Sequence, residues 1–265
     1  MEQPIGIFDS GIGGISIATE INQLLPNENI IYFADSKNAP YGNKTKKQIQ
    51  QLAHKNTEKL ISTYNAKLIV VACNTATTNA IKELRNNYNI PFIGIEPAIK
   101  PAALKTRNNK IGILATKGTL ASKLFAETTK KFISKEIELV QVEGKNIVEA
   151  IEENKHLGKD FTNHLYKQLK PFKDKNIDSL VLGCTHYPFI RNNIQELLPN
   201  THIIDSGFAV ARQTRNVIKK NELFNFNQTS SKYIKIYSNS SNLEPIQALT
   251  LNRFLIKPTI EYLNF

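Results

Sequence analysis

The chain of 265 residues holds two cysteines, Cys73 and Cys184, and they stand in matching surroundings. Leu68-Ile69-Val70-Val71-Ala72-Cys73-Asn74-Thr75 lays over Ser179-Leu180-Val181-Leu182-Gly183-Cys184-Thr185-His186. Each stretch is an apolar run, a small residue, the cysteine, then a polar pair that includes threonine. A buried parallel strand has this character, and open α/β sheets present their ligand-binding groups just past the carboxyl ends of such strands. A lone cysteine is ordinarily a small core hydrophobe. Two at equivalent strand ends point instead to a pair of working thiols.

Four chemistries are open to such a pair. A disulfide is disfavoured: Met1-Glu2-Gln3-Pro4 leads straight into a strand-like segment with no signal-peptide pattern, so the expected compartment is the reducing cytoplasm. A zinc site is disfavoured too, because Cys73, Cys184 and His186 are sparse and no CxxC occurs, so no metal is expected. A Cys–His hydrolase would use Cys184 and His186 at i and i+2 but leave Cys73 idle. Inverting a stereocentre by proton transfer uses both, since it needs a base on one face of a carbon and an acid on the other. Thiols titrate close enough to neutrality for that exchange of roles. Backbone N–H groups where a helix begins beside each thiol are expected to favour thiolate.

The elements that must position these thiols alternate strand with helix. Strands are predicted at Ile5–Phe8, Ile30–Phe33, Leu68–Ala72 and Phe92–Ile95, with helices at about Ile15–Leu25, Lys44–Tyr64 and Thr75–Asn87 between them. That alternation predicts βαβ units and a parallel sheet. The pattern then restarts: Lys110-Ile111-Gly112-Ile113 echoes Pro4-Ile5-Gly6-Ile7, an offset of 112 − 6 = 106, while the cysteines give 184 − 73 = 111. The near-equal offsets predict two related α/β domains with mainly parallel sheets and duplicated topology, facing each other across a cleft that holds the site. The second domain is expected over 96–204, and the first over 1–95 completed by 205–265. In that tail a helix is predicted from about Phe208 to Lys220, a strand at Tyr233–Tyr237 and a helix from about Glu244 to Phe254, with Asn225 to Lys232 as an exposed loop.

Other residues carry weaker signals. Asp9-Ser10-Gly11-Ile12-Gly13-Gly14 follows a strand and opens a helix, yet its spacing is not the dinucleotide GxGxxG. It reads equally as a turn bringing Asp9, Ser10 and backbone N–H groups to a ligand, or as an ordinary capped βα turn. Pro40-Tyr41-Gly42 and Tyr187-Pro188 are turn chemistry. Glu152 and Glu153 fall in a polar helical stretch that reads as a solvated face, and His54, His156, His164 and His202 read as surface or structural. The composition, 41% hydrophobic and 22% charged, is that of a globular protein, and no apolar run is long enough to cross a bilayer. The net charge of +11 suits an anionic small substrate or a nucleic acid, but lysines scattered among Asn and Ile, without an Arg stripe or interleaved aromatics, make a nucleic-acid partner unlikely.

Taken together, these motifs resemble those of the glutamate racemase family, within the aspartate/glutamate racemases. The resemblance rests on Ile5-Gly6-Ile7-Phe8-Asp9-Ser10-Gly11-Ile12-Gly13-Gly14, Ala34-Asp35-Ser36, Ala39-Pro40-Tyr41-Gly42, Ala72-Cys73-Asn74-Thr75-Ala76, Gly94-Ile95-Glu96-Pro97 and Leu182-Gly183-Cys184-Thr185-His186-Tyr187-Pro188, spanning about residues 4–212. It implies a cofactor-independent isomerase, a cytoplasmic homodimer, that interconverts L- and D-glutamate and feeds peptidoglycan synthesis. By the same resemblance Cys73 and Cys184 would be the acid/base thiols, assisted by Asp9 and His186, one near each. Ser10, Tyr41, Gly42, Asn74, Thr75, Thr185 and His186 would line the pocket. Glu152 would support the histidine, with Glu149 and Glu153 as alternatives because Val142 to Asn146 lacks the proline-bearing pattern expected before it. Competing readings are a racemase for aspartate and a basic binding protein with a secondary racemase site.

Overall fold

The structure is a computed structural model that describes residues 3–225 and 231–265. Ten strands alternate with helices: β1 (Ile5–Asp9), β2 (Ile30–Ala34), β3 (Leu68–Val71), β4 (Phe92–Gly94), β5 (Lys110–Ala115), β6 (Glu138–Glu143), β7 (Ser179–Gly183), β8 (His202–Ile204), β9 (Ile234–Ser238) and β10 (Thr259–Tyr262). They form two sheets. One has six strands in the order β10-β9-β2-β1-β3-β4, and the other four in the order β6-β5-β7-β8. Neighbouring strands run parallel throughout both. The fold class is therefore α/β with two parallel sheets.

The internal repeat is visible in the register. Gly6 faces Ile69 between β1 and β3, and Gly112 faces Leu180 between β5 and β7. The order β2-β1-β3-β4 is repeated as β6-β5-β7-β8. Each of these glycines lies under a neighbour that leaves no room for a side chain: a Cβ at Gly6 would stand 2.7 Å from Ile69 Cδ1, and one at Gly112 would stand 2.4 Å from Ile177 Cδ1. The turns leading into β3 and β7 match as well. Asn65 and Asn176 both adopt φ of 53°, the left-handed conformation that asparagine tolerates better than most residues. Part of the asparagine content that surrounds the lysines is thus turn chemistry. Around Asn108-Asn109, the N–H groups of Arg107 and Asn108 both donate to Asp178.

The helix Lys46–Ser62 starts in a capping box formed by Thr45 and Gln48 and buries Ile49, Ala53 and Leu60 against the first sheet. The helix Asn74–Asn87 begins directly after β3, with Cys73 at its N-cap. The chain passes between the sheets twice, and Ser206 Oγ donates to the carbonyl of Glu96 at 2.5 Å where the crossings meet. The helix Gly207–Lys220 then packs on the helix Ile15–Leu24, and β9 joins β2 in the first sheet.

The C-terminal helix is shorter than the sequence suggests, ending at Thr250 rather than near Phe254, and a strand follows that the sequence did not announce. β10 has a single neighbour and stays largely exposed, so it carries no alternating apolar signal. Most of the loop expected over Asn225 to Lys232 lies outside the described residues. Among the described residues, no helix is long and apolar enough to cross a membrane.

Candidate active site

Cys73 is buried at the end of β3. Its sulfur accepts from the Ala76 N–H at 3.4 Å and donates to Ser10 Oγ at 3.5 Å. A helix start ordinarily favours thiolate, but here the expectation fails. Burial, joined by the negative charge of Asp9, pushes the Cys73 thiol well above its ordinary 9.0. Cys73 is therefore held as a proton donor. Asp9 itself is buried at the end of β1. Its carboxylate accepts from the N–H groups of Ser10 (2.6 Å) and Gly14 (2.5 Å) and from Thr185 Oγ1 (3.0 Å). Burial raises its pKa against the pull of His186 and these donors.

Cys184 follows β7 in the other sheet, and its surroundings differ. His186 Nδ1 lies 3.7 Å from the Cys184 sulfur, and His186 Nε2 lies 2.6 Å from Glu152 Oε1. Burial alone would lower the imidazole, but the hydrogen bonds and charges of Cys184 and Glu152 outweigh it and hold His186 well above 6.5. His186 thus spans the two groups, with one ring nitrogen on the Glu152 carboxylate and the other facing the Cys184 sulfur. Glu152 is not on a solvated face. Its side chain is 13% exposed and meets His186, while Glu153 pairs with Lys155 at the surface.

The glycine-rich turn acquires a purpose from this geometry. A Cβ at Gly11 would lie 1.8 Å from Glu152 Oε1, and one at Gly13 would lie 2.3 Å from His186 Nδ1. The loop of one half is bare so that the histidine and glutamate of the other can rest on it. Ile12 N–H donates to Glu152 at 2.7 Å.

Between the thiols lies a narrow cavity of about 10 Å³, room for about one water. Ser10, Tyr41, Gly42, Cys73, Asn74, Thr75, Cys184, Thr185 and His186 line it, with Pro40, Thr116 and Val148. Asp9 and Glu152 stand behind that lining and reach it through hydrogen bonds. Tyr41 donates to Asp35 at 2.5 Å, and burial with the Asp35 charge keeps its phenol protonated well beyond 10. The Asn74 amide is buried, and neither its nitrogen nor its oxygen has a partner among the described residues. Buried polar groups are nearly always satisfied, so an orphaned amide on a cavity wall marks a ligand position.

Residues 5–214 match the family model described as Asp/Glu/Hydantoin racemase. The chain belongs to the Asp/Glu/hydantoin racemase family. A glutamate racemase of Clostridium novyi is 42% identical over 247 residues, 92% of this chain and 94% of that protein. Among solved structures, Escherichia coli glutamate racemase in complex with L-glutamate and the activator UDP-MurNAc-Ala is 31% identical with a TM-score of 0.86, covering 98% of each chain. Glutamate racemase of Francisella tularensis in complex with D-glutamate is 31% identical with a TM-score of 0.82, covering 99% of this chain and 97% of that one.

In this racemase-family chain the sequence reading left out Thr116, Pro40 and Val148 on the cavity wall, and Ser36 behind it. Thr116 had a signal. Adding the offset of 112 − 6 to Ser10 lands on Thr116, which hydrogen-bonds Thr75 at 2.9 Å across the halves. Val148 and Ser36 had none, because their places depend on how the two sheets face each other. Buried His156 is structural rather than superficial, lying edge-on to Phe161.

Proposed function

We propose that this protein racemises glutamate without a cofactor, passing a proton between Cα and two thiols. The reading rests above all on one observation: Cys73 and Cys184, carried by different sheets, line the same cavity, one beside Asp9 and the other beside His186. The relatives named for glutamate, including those bound to L- and D-glutamate, supply the substrate class. The D enantiomer produced would serve peptidoglycan synthesis.

In one direction of the proposed reaction, Cys184 accepts a proton from Cα while Cys73 returns one from the opposite side. Reverse turnover starts from the opposite protonation. His186 stabilises the charge on the Cys184 side and is itself oriented by Glu152. Asp9 stands beside Cys73 and ties it to Thr185 in the facing half. The hydrogen on a carbon next to a carboxylate is a weak acid, so the intermediate needs fixed donors and little water. The Asn74 amide, the hydroxyls of Ser10, Thr75 and Thr185 and the Tyr41-Gly42 turn are placed to hold the substrate's amino and carboxylate groups. An amino acid does not fit within 10 Å³, so the halves would part to admit it and close to exclude water.

The test is incubation with L-glutamate in heavy water without added cofactor, with L-aspartate as the competing substrate. D-glutamate carrying deuterium at Cα is expected, with little turnover of aspartate. Cys73→Ser and Cys184→Ser should each lower racemisation by at least about a hundredfold, in the range of lost acid–base groups. Wild-type rates in either variant would disprove the two-thiol mechanism.

A further inference from the structure

We propose that Ser36 is a positioning residue for proton transfer at Cys184, acting from the opposite half of the molecule through Glu152. This rests on the racemase reading above. Glu152 ends the six-residue helix Ile147–Glu152, where a carboxylate gains nothing from the helix dipole. Its oxygens are satisfied elsewhere. Oε1 accepts from His186 and from the Ile12 N–H, and Oε2 accepts from Ser36 Oγ at 3.0 Å. Two of these three donors come from segments beside the first sheet. Glu152 otherwise borders an open groove of about 570 Å³, where solvent competes for the carboxylate. When the halves part, Glu152 loses Ile12 and Ser36 together and keeps only His186.

Ser36 is fixed to a degree that fits this task. Its neighbour Asp35 accepts from Asn239 Nδ2 (2.5 Å), Asn38 Nδ2 (2.7 Å) and Tyr41 (2.5 Å), and the Lys37 N–H donates to Asn239 Oδ1 at 2.9 Å. One turn therefore carries both Tyr41 on the cavity wall and the hydroxyl that holds Glu152. Two parallel donors fix the plane of a carboxylate, and the plane of Glu152 sets the angle at which His186 Nδ1 addresses the sulfur. In the described arrangement Ser36 and Ile12 of the first half hold Glu152 while His186 faces Cys184. Cys73 has no link to Ser36: its own tie across the halves runs from Asp9 to Thr185, and its direct partners Ser10 and Ala76 belong to the first half.

Rates alone do not locate such a fault. The two enantiomers are equal in free energy, so any variant must lower kcat/KM equally in both directions. Isotope effects do separate the two sides. Cys73→Ser retains Cys184, and the enantiomer whose α-hydrogen it still exchanges with solvent identifies the Cys184 direction. Ser36→Ala is then measured with 2-deuterated L- and D-glutamate. The expected result is a loss of about tenfold in kcat/KM, with the primary isotope effect rising for the Cys184 substrate and falling for the Cys73 substrate. Ser36→Thr, which keeps the hydroxyl, should restore the wild-type pattern. Isotope effects that rise equally for both enantiomers, or that stay at wild-type values, would overturn the proposal. A wild-type protein inert toward glutamate would instead overturn the racemase reading itself.

Discussion

At the scale of single residues, the two thiols are chemically unequal although their strands are equivalent. Cys73 is buried beside the Asp9 carboxylate, and burial and that charge push its thiol up, whereas Cys184 lies 3.7 Å from His186 Nδ1. The His186 pairing has a pH signature. A histidine whose pKa is raised on folding adds stability in full below its unfolded 6.5, and that stability is lost as pH rises through the folded value. His186→Asn should therefore destabilise the protein most at about pH 6, by the roughly 1.5–3 kcal/mol of a buried charged hydrogen bond, and progressively less at alkaline pH. Urea unfolding of the two proteins across pH checks this, and a pH-independent difference would contradict it. Glu152→Gln should reproduce the trend with smaller amplitude, since one hydrogen-bonding oxygen survives.

At the scale of elements, the glycine turn after β1 is the most sensitive piece. Gly11→Ala places a methyl group where Glu152 Oε1 now lies, so the carboxylate must move by more than an ångström. A displacement of that size can cost about a hundredfold in rate. The variant should keep its fold, as judged by far-UV circular dichroism and cooperative melting, and lose activity to that extent. Near-normal turnover would mean that Glu152 has another productive position. The sequence exposed this level well wherever a pattern is local. β1, β3 and β7 announce themselves as apolar runs, and the duplicated Gly6 and Gly112 fix the register of both sheets. It was silent where position depends on the other half. Glu152 looks like one of several glutamates on a polar helix until the Gly11 turn comes against it, and Ser36 looks like any loop serine. β10 was missed because an exposed edge strand has no need of alternating apolar residues.

At the scale of the whole molecule, the last part of the chain is tied to the first sheet by a buried ion pair. Lys67, just before β3, meets Glu28, just before β2, and also donates to the Leu223 carbonyl at 2.6 Å and to Asn225 Oδ1 at 2.9 Å. Both side chains are 2% exposed, so removing one leaves a buried charge without its counter-ion. Lys67→Met should cost about 3–5 kcal/mol, and Lys67→Met combined with Glu28→Gln appreciably less. Chemical denaturation of both variants measures the difference; equal losses would mean that the pair contributes by packing alone.

The chamber described between the thiols is smaller than its cargo, and this sets the rhythm of the cycle. On the proposed parting of the halves, entry and exit work against solvent friction, so added sucrose should slow turnover even where it leaves the proton transfers untouched. On the same proposal, the hydrogen on buried Cys73 would be renewed from bulk water while the halves stand apart.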